Sequence, residues 1–181
     1  MSNKTPKDTN ILRKAMNDRG LFRALDETPC RGPFHPEKDR GHHTQIVNTR
    51  YALSADNAKR SYGLTDRDIR TMYASVVCHD LGCIECTQYN KSKDSYTAYG
   101  HEKISHEMMA DLKDPIESFG ADYDTARWLV LNHMKAHFYV SGALKKEVKR
   151  QALENHPAFN MLMWLEKCDD MLLDFDGEVH C

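Results

Sequence analysis

A histidine and an aspartate stand side by side at positions 79 and 80, directly after a run of small and apolar residues from Thr71 to Cys78. The run predicts a helix, and Gly82 predicts its end. An imidazole and a carboxylate next to each other are poor core material and good metal ligands. The pair indicates a metal centre, provided that the rest of the chain supplies partners for it.

The chain has ten histidines, and several of them adjoin acidic residues or glycines. The candidate partners lie near the ends of predicted helices or on their apolar faces, so four or five helices could bring their ligands to one point. The candidate ligands are His43, His79, Asp80, His101, His133 and one of Asp169 or Asp170. Nitrogen and carboxylate ligands without thiolate suit Mn, Fe, Co, Ni, Zn or Mg, bound as one or two ions.

Apolar residues recur at three- and four-residue steps along most of the chain, which is the pattern of amphipathic helices. Helices are predicted over residues 8–18, 42–60, 65–79, 101–112, 123–135, 143–154 and from 157 onward, with a short apolar segment near 21–25. The polar stretch from 82 to 100 is predicted to be a long functional loop. The predicted fold class is therefore all-α, a single domain of six to eight helices around a metal site. Its core spans 35–172, with N-terminal helices and a loop over 1–34 and a loose tail over 173–181.

The net charge is −2 and the pI is near 6.5, so no global basic field attracts nucleic acid and stable nucleic-acid binding is not expected. No apolar run approaches the ~20 residues that cross a bilayer, and the N-terminus lacks a signal-peptide core. A cytoplasmic protein with reduced thiols is expected. Cys83 and Cys86 have the spacing of half a zinc site, but no second Cys-x-x-Cys exists, so incidental cysteines are favoured.

The order of these motifs resembles that of the HD superfamily of metal-dependent phosphohydrolases: a histidine, then His-Asp, then a C-terminal aspartate. The segment 43–47 resembles the first motif of that superfamily, 76–82 the second, and 165–171 the last, which is Lys-x-x-Asp. The fold and the activity that this resemblance implies are a helical domain and metal-dependent phosphate hydrolysis.

The resemblance is closer still to the HD domain of bacterial CCA-adding tRNA nucleotidyltransferases. In that domain the first histidine follows a His-Pro-Glu-x-Asp stretch, as in residues 35–39 here. The same domain carries Gly-His-Glu and Asn-His-Met, which are seen here at 100–102 and 132–134. The match covers roughly 35–171 and leaves no room for the nucleotidyltransferase catalytic and RNA-binding domains, so a free-standing HD domain is expected.

By this resemblance, His43, His79, Asp80 and Asp170 would hold a first metal, and Asp80 would bridge to a second one held by His101 and His133. Asp170 is preferred because it completes Lys-x-x-Asp from Lys167, and Asp169 remains open. Asp80 and Glu102 are the expected catalytic residues, Glu102 as an orienter of a ligand histidine or a proton shuttle.

Many relatives have a lysine three residues after the His-Asp pair, where this chain has Cys83. Phosphate binding would then use other cations, namely Lys91, Lys93, Lys103 or Lys135. Histidines outside the ligand set are interpreted as structural. They are His35, His42, His106, His137, His156 and His180.

The expected function is a metal-dependent phosphohydrolase acting on a nucleotide, another phosphorylated small molecule or a nucleic-acid phosphate end. Phosphomonoester removal, opening of a 2′,3′-cyclic phosphate and nucleoside triphosphate hydrolysis are the candidate reactions. A non-catalytic nucleotide sensor on the same scaffold is the alternative, and a di-iron oxygenase is a third possibility.

Overall fold

The polypeptide folds into helices joined by short connections, and a computed structural model describes residues 9–30 and 37–170. In these ranges eight helices have seven residues or more, and two are shorter. The helices are α1 (Thr9–Asp18), α2 (Leu21–Glu27), α3 (Arg40–Ser61), α4 (Asp66–Cys78), α5 (Cys83–Cys86), α6 (His101–Met108), α7 (Lys113–Ser118), α8 (Tyr123–Val140), α9 (Glu147–Glu154) and α10 (Phe159–Asp169). A 3₁₀ helix, Met109–Leu112, joins α6 to α7. The predicted all-α fold of six to eight helices is confirmed.

Two segments differ from their predicted structure. The stretch 82–100, expected to be a loop, contains α5 and an antiparallel hairpin of β1 (Gln88–Asn90) and β2 (Ser95–Thr97). Strands of three residues are too short to leave a recognisable alternation in the sequence. The basic helix expected over 143–154 begins only at Glu147. The predicted N-terminal residues of the first helix and the tail over 173–181 lie outside the described residues.

Helices α3 and α4 begin at residues whose side chains cap them. Asp39 is the N-cap of α3, and its carboxylate accepts a hydrogen bond from the backbone N–H of His42. Thr65 and Asp68 form a complete capping box at the start of α4. These side chains satisfy backbone donors that no helical carbonyl can reach, so they fix where each helix begins.

Helices α3, α4, α8 and α10 pack around one apolar core, and α6 packs against α8. Trp164 of α10 is fully buried, stacks on Tyr51 of α3, and donates its indole N–H to Ser54. The hydroxyl of Tyr51 in turn donates to the carbonyl of Ile69 in α4. These contacts hold three of the four central helices in register. No helix in the described ranges is long and apolar enough to cross a lipid bilayer.

Candidate metal centre

Six buried side chains meet where five helices come together. They are His43 of α3, His79 and Asp80 after α4, His101 of α6, His133 of α8 and Asp169 of α10. Their candidate ligand atoms form two groups of three, and the atoms of each group lie within 4.8 Å of one another. Five of the six predicted ligands are thereby brought together. The two groups could hold one or two metal ions.

The first group consists of His43, His79 and Asp169. The Nε2 atom of His43 lies 3.3 Å from Nε2 of His79 and 2.8 Å from Oδ1 of Asp169. The Nε2 atom of His79 lies 3.5 Å from the same oxygen. Metal–ligand bonds of roughly 2.1 Å place neighbouring donors about 3.0–3.5 Å apart at octahedral or tetrahedral angles. Two of the three separations lie in this range and the third, 2.8 Å, is slightly below it, so the three atoms lie close to the spacing of ligands on one ion.

The second group consists of Asp80, His101 and His133. The Nε2 atoms of His101 and His133 lie 2.9 Å apart, and Nε2 of His101 lies 3.2 Å from Oδ1 of Asp80. The second separation lies in the range for donors that share an ion, and the first is slightly below it.

The carboxylate of Asp80 lies between the two groups. Its Oδ1 atom faces His101 at 3.2 Å, while its Oδ2 atom lies 3.6 Å from Nε2 of His43 and 3.7 Å from Nε2 of His79. Each oxygen is thus directed to a different set of imidazoles. This is the arrangement that a bridging carboxylate needs.

Each histidine of the cluster is fixed through its other ring nitrogen. The Nδ1 atoms of His79, His101 and His133 lie 2.7–2.8 Å from the backbone carbonyl three residues earlier, to which they donate. The Nδ1 atom of His43 lies 2.5 Å from Oε1 of Glu37. A hydrogen bond at Nδ1 fixes the ring and directs Nε2 inward, which is the usual support for a metal-binding histidine.

Burial and neighbouring charges shift the pKa values of two of these rings in opposite directions. Burial, together with His101 and His79, lowers the pKa of His133 to about 3, so this ring is a neutral lone-pair donor at neutral pH. Burial also opposes a charge on His101, but its hydrogen bond to Asp80 outweighs that effect and raises the pKa. Because the two Nε2 atoms lie so close together, either a proton on His101 or a metal ion must separate their lone pairs.

Both aspartates of the cluster are ionised although they are buried. Burial would raise the pKa of Asp80, but the charges of Arg40 and His79 hold it well below its usual range. Burial would also raise the pKa of Asp169, but the charge of His79 and a hydrogen bond from His137 hold that pKa well below its usual range. Imidazole lone pairs beside ionised carboxylates form a donor set that suits a divalent cation.

At the C-terminal position, the candidate group contains Asp169, the alternative that the sequence left open, and not the preferred Asp170. Asp169 lies three residues after Glu166 and four after Leu165, so it shares the buried face of α10 with them. Asp170 is the C-cap of that helix with extended backbone, and its carbonyl accepts a hydrogen bond from Arg50. The Lys-x-x-Asp spacing selects Asp170, whereas the helical face selects Asp169.

His137, interpreted from the sequence as structural, belongs to neither group but supports the first. Its Nε2 atom lies 2.8 Å from Oδ2 of Asp169, and its Nδ1 atom lies 3.4 Å from Oε1 of Glu166. Burial opposes its charge, yet these hydrogen bonds raise its pKa to about 10. The four-residue step from His133 to His137 places both on one face of α8, and this step was the available sequence signal.

Two further buried residues contact the cluster and were not among the predicted site residues. Glu37 binds the ring of His43, and the guanidinium Nη1 of Arg40 lies 2.9 Å from Oδ2 of Asp80. Glu37 belongs to the His-Pro-Glu-x-Asp stretch, so that stretch was a signal for it. Arg40 follows the stretch directly and carried no signal of its own.

Ser105 attaches the end of α4 to α6. Its hydroxyl donates to the carbonyl of His79 at 2.7 Å and accepts from the N–H of Gly82 at 2.8 Å. A side chain at Gly82 would overlap the carbonyl oxygen of His101. The absence of a side chain at position 82 thus lets α6 approach closely enough for His101 to reach Asp80.

The remaining predicted residues belong to neither group. Glu102 is half-buried directly after His101 and lies near enough to Lys135 to affect its pKa. Lys135 is partly desolvated, and Lys149 and Lys103 add to this effect, so its pKa is lowered. Lys91 and Lys93 are exposed on the hairpin turn.

Cys83 is fully buried, and its thiol carries no charge. Burial and the neighbouring Asp80 raise the pKa of its thiol well above the usual value. The described cysteines, which are Cys30, Cys78, Cys83, Cys86 and Cys168, are free thiols. Among the described residues, neither candidate metal group includes a cysteine.

Comparison with known proteins gives no match: no protein-family model fits the chain, and neither a curated protein nor a solved structure resembles it significantly. Any function assigned to this chain therefore depends on the chemistry of the cluster itself. Membership of the HD superfamily stays a prediction from the order of the motifs.

Proposed function

We propose that this chain is a metal-dependent phosphohydrolase of the HD type that acts on nucleotides or on nucleic-acid phosphate ends. The observation that carries the proposal is the geometry of Asp80, whose two oxygens face two separate sets of imidazoles. A carboxylate in this position suits a dinuclear centre, and dinuclear centres are common in phosphate ester hydrolysis.

His43, His79 and Asp169 would hold one ion, His101 and His133 the other, and Asp80 would contact both. When bound, the ions would polarise a phosphoryl oxygen and activate a water near neutral pH. The chain's own part is to hold six ligands rigidly through their outer hydrogen bonds and to keep both carboxylates ionised. Glu102, next to His101 and half-buried, is in a position to move a proton at the edge of the cluster.

The charge balance of the centre supports a phosphate substrate. Two divalent ions on the carboxylates of Asp80 and Asp169 leave a surplus of about two positive charges. A phosphate monoester near neutral pH carries up to about two negative charges and would neutralise that surplus. Lys103 and Lys135 lie near enough to each other to interact and add positive potential beside the centre.

Three exposed tyrosines in the segment that leads to His101 support a nucleobase as part of the substrate. The rings of Tyr89 and Tyr96 meet edge to face at 5.4 Å on the hairpin, and Lys93 donates to the hydroxyl of Tyr99. Tyr99 is 74% exposed and lies two residues before His101. Exposed aromatic rings next to lysines suit base stacking and phosphate attraction.

Metal content and phosphate release together test the proposal. Protein loaded with Mn, Fe, Co, Ni, Zn or Mg in turn is expected to retain one or two ions per chain and to release phosphate from at least one nucleotide or phosphorylated oligonucleotide. Asp80→Asn is expected to lose most of the metal and all detectable hydrolysis. Asp56→Asn, an exposed change in α3, is the matched control and should behave as the wild type. Unchanged metal content and hydrolysis in Asp80→Asn would contradict the proposal.

A nucleotide-binding module without turnover is the second candidate, and the buried, uncharged thiol of Cys83 favours it. Its ligand groups would then hold ions that position a nucleotide rather than hydrolyse it. The metal-loaded wild type distinguishes the two functions: saturable nucleotide binding without any product supports the module, and product formation supports the hydrolase.

A further inference from the structure

Arg40 is a buried cation at the edge of the cluster whose capacity to donate hydrogen bonds is largely unused. It is the first residue of α3, and its side chain is 9% exposed. Its Nη1 atom forms a salt bridge of 2.9 Å with Oδ2 of Asp80. A guanidinium has five N–H donors in a rigid planar fork, so one contact leaves most of them available.

One of these donors is buried without a partner. The Nε atom of Arg40 is inaccessible to solvent and has no hydrogen-bond partner among the described residues. Leaving a donor of a charged group unpaired in the interior is unfavourable, because the donor loses its hydration and gains no hydrogen bond in exchange. Such a group in a folded protein therefore points to a further polar partner that completes its hydrogen bonds.

The described neighbours of Arg40 do not supply that partner. The thiols of Cys30 and Cys83 lie near its charge, and burial keeps both of them neutral, with the pKa of Cys30 raised to about 12. Asp80 is the one described carboxylate in salt-bridge contact with the guanidinium, and its oxygens also face the imidazoles of both ligand groups. An ion on Asp80 would compete with Arg40 for Oδ2 and free the Nη1 donor as well.

Arg40 also differs from the lysines considered for phosphate binding. Lys91, Lys93, Lys103 and Lys135 are all exposed, whereas Arg40 is buried within hydrogen-bond distance of the carboxylate between the two ligand groups. A buried charge is screened far less by salt than an exposed one. Arg40 is thus the described cation best placed to act on an anion at the centre.

We propose that Arg40 is the anion-binding residue of this centre and takes a phosphoryl oxyanion with its guanidinium fork once metal occupies Asp80. The inference rests on the proposed function, because it requires metal at the cluster. In the metal-free protein, Arg40 holds the place of a cation beside Asp80. In the loaded protein, it donates to the tetrahedral anion that the ions attract, and the planar fork matches two of its oxygens.

The test measures binding of inorganic phosphate to metal-loaded protein by titration calorimetry, with metal content measured on the same samples. Arg40→Met is expected to keep the metal content of the wild type and to bind phosphate roughly 10- to 100-fold more weakly, since hydrogen bonds to charged groups are worth about 1.5–3 kcal/mol. Arg40→Lys keeps the positive charge but lacks the planar guanidinium, so its phosphate affinity should lie between those of the wild type and Arg40→Met. Arg60→Met, at the opposite and exposed end of α3, is the matched control and should bind phosphate as the wild type does.

Three results would overturn the inference. They are equal phosphate affinity in Arg40→Met and the wild type, no phosphate binding by the loaded wild type, and loss of metal from both Arg40 variants in proportion to their loss of phosphate. The last would show that Arg40 only positions Asp80. A wild type that takes up metal and binds phosphate but hydrolyses no ester contradicts the proposed hydrolase alone, and the affinities of the variants then still decide the role of Arg40.

Discussion

Asp169 is held by histidines on both of its oxygens. Its Oδ1 atom contacts His43 and its Oδ2 atom contacts His137, so the carboxylate has a fixed orientation before any ion arrives. Asp170, one residue later, has left the helix and belongs to neither ligand group. These neighbours therefore differ in position although they are the same residue type, which makes them a matched pair for mutation.

We expect Asp169→Asn to lose most of the metal of the first group and Asp170→Asn to keep it. An amide is a weaker ligand than an ionised carboxylate, and it removes the negative charge that offsets the ion in a buried site. The measurement is metal per chain by elemental analysis after gel filtration, with circular dichroism to show that both variants are folded. Greater loss from Asp170→Asn than from Asp169→Asn would show that the cluster is misassigned.

At the scale of the elements, α4 delivers the His-Asp pair, and its starting point is set by Thr65 and Asp68. The backbone N–H of Asp68 donates to the Thr65 hydroxyl oxygen, and the Thr65 N–H donates to the Asp68 carboxylate. Both contacts lie on the surface at the end of α4 farthest from His79. The cap should therefore affect stability without affecting the chemistry of the cluster.

We expect Thr65→Ala to lower the free energy of unfolding by about 1 kcal/mol, the usual cost of removing an N-cap side chain. Thr49→Ala, an exposed change inside α3, is the control and should alter it by less than about 0.5 kcal/mol. Urea denaturation of both variants measures the difference, and metal content should match the wild type in each. An unaltered midpoint for Thr65→Ala would mean that the cap does not stabilise α4.

The contact between the end of α4 and α6 is the second determinant at this scale. An added Cβ at Gly82 would overlap the carbonyl oxygen of His101 and lie 2.7 Å from the N–H nitrogen of Ser105. Neither backbone group can move without displacing α6. The second ligand group depends on this approach because His101 is the first residue of α6.

We expect Gly82→Ala to destabilise the fold by about 1–3 kcal/mol, the range for overpacked sites, and to lose the metal of the second group first. Gly63→Ala is the control: its φ of 63° is unfavourable for alanine, at about 1–2 kcal/mol, but nothing lies within 4 Å of the added carbon. Thermal denaturation and metal stoichiometry are measured on both. If both variants keep all of their metal, the close approach is not needed for the second group.

The sequence was most informative where one residue had one dominant role. The sequence pointed to five of the six cluster residues because histidines at helix ends or on apolar faces are unusual, as is an aspartate directly after one of them. These residues are His43, His79, Asp80, His101 and His133. The hairpin was missed because three-residue strands have no period, and Arg40 was missed because a single arginine after a loop resembles any surface cation. Asp169 was ranked below Asp170 because the Lys-x-x-Asp spacing was given more weight than the face of the helix on which each aspartate lies. The hairpin and the positions of Arg40 and Asp169 depend on contacts between segments that are distant along the chain, and a single sequence does not reveal such contacts.

At the scale of the whole molecule, the cluster places ionisable side chains from five helices in the interior. Folding must bring these groups out of water together, and hydrogen bonds among them recover part of that cost. An ion that binds only the folded chain adds its binding free energy to folding. The centre should thus stabilise the entire domain rather than one helix.

We expect saturating divalent metal to raise the melting temperature by about 5–10 °C relative to chelator-treated protein. Metal at 100-fold its dissociation constant contributes about 2.7 kcal/mol, and each kcal/mol shifts a domain of this size by about 2–4 °C. Differential scanning calorimetry with and without chelator measures the shift. In Asp80→Asn, metal should raise the melting temperature much less. A rise equal to that of the wild type would show that the stabilising ion binds elsewhere.

The position of Asp80 between the two groups has a consequence for how the centre fills. Two ions that share one carboxylate cannot bind independently, because the charge that the first ion draws from Asp80 is no longer fully available to the second. The factor by which one occupied site changes the affinity of the other is necessarily the same in both directions. The affinity of each site would then depend on whether the other site is occupied. The supply of one metal would thereby regulate occupancy by the other.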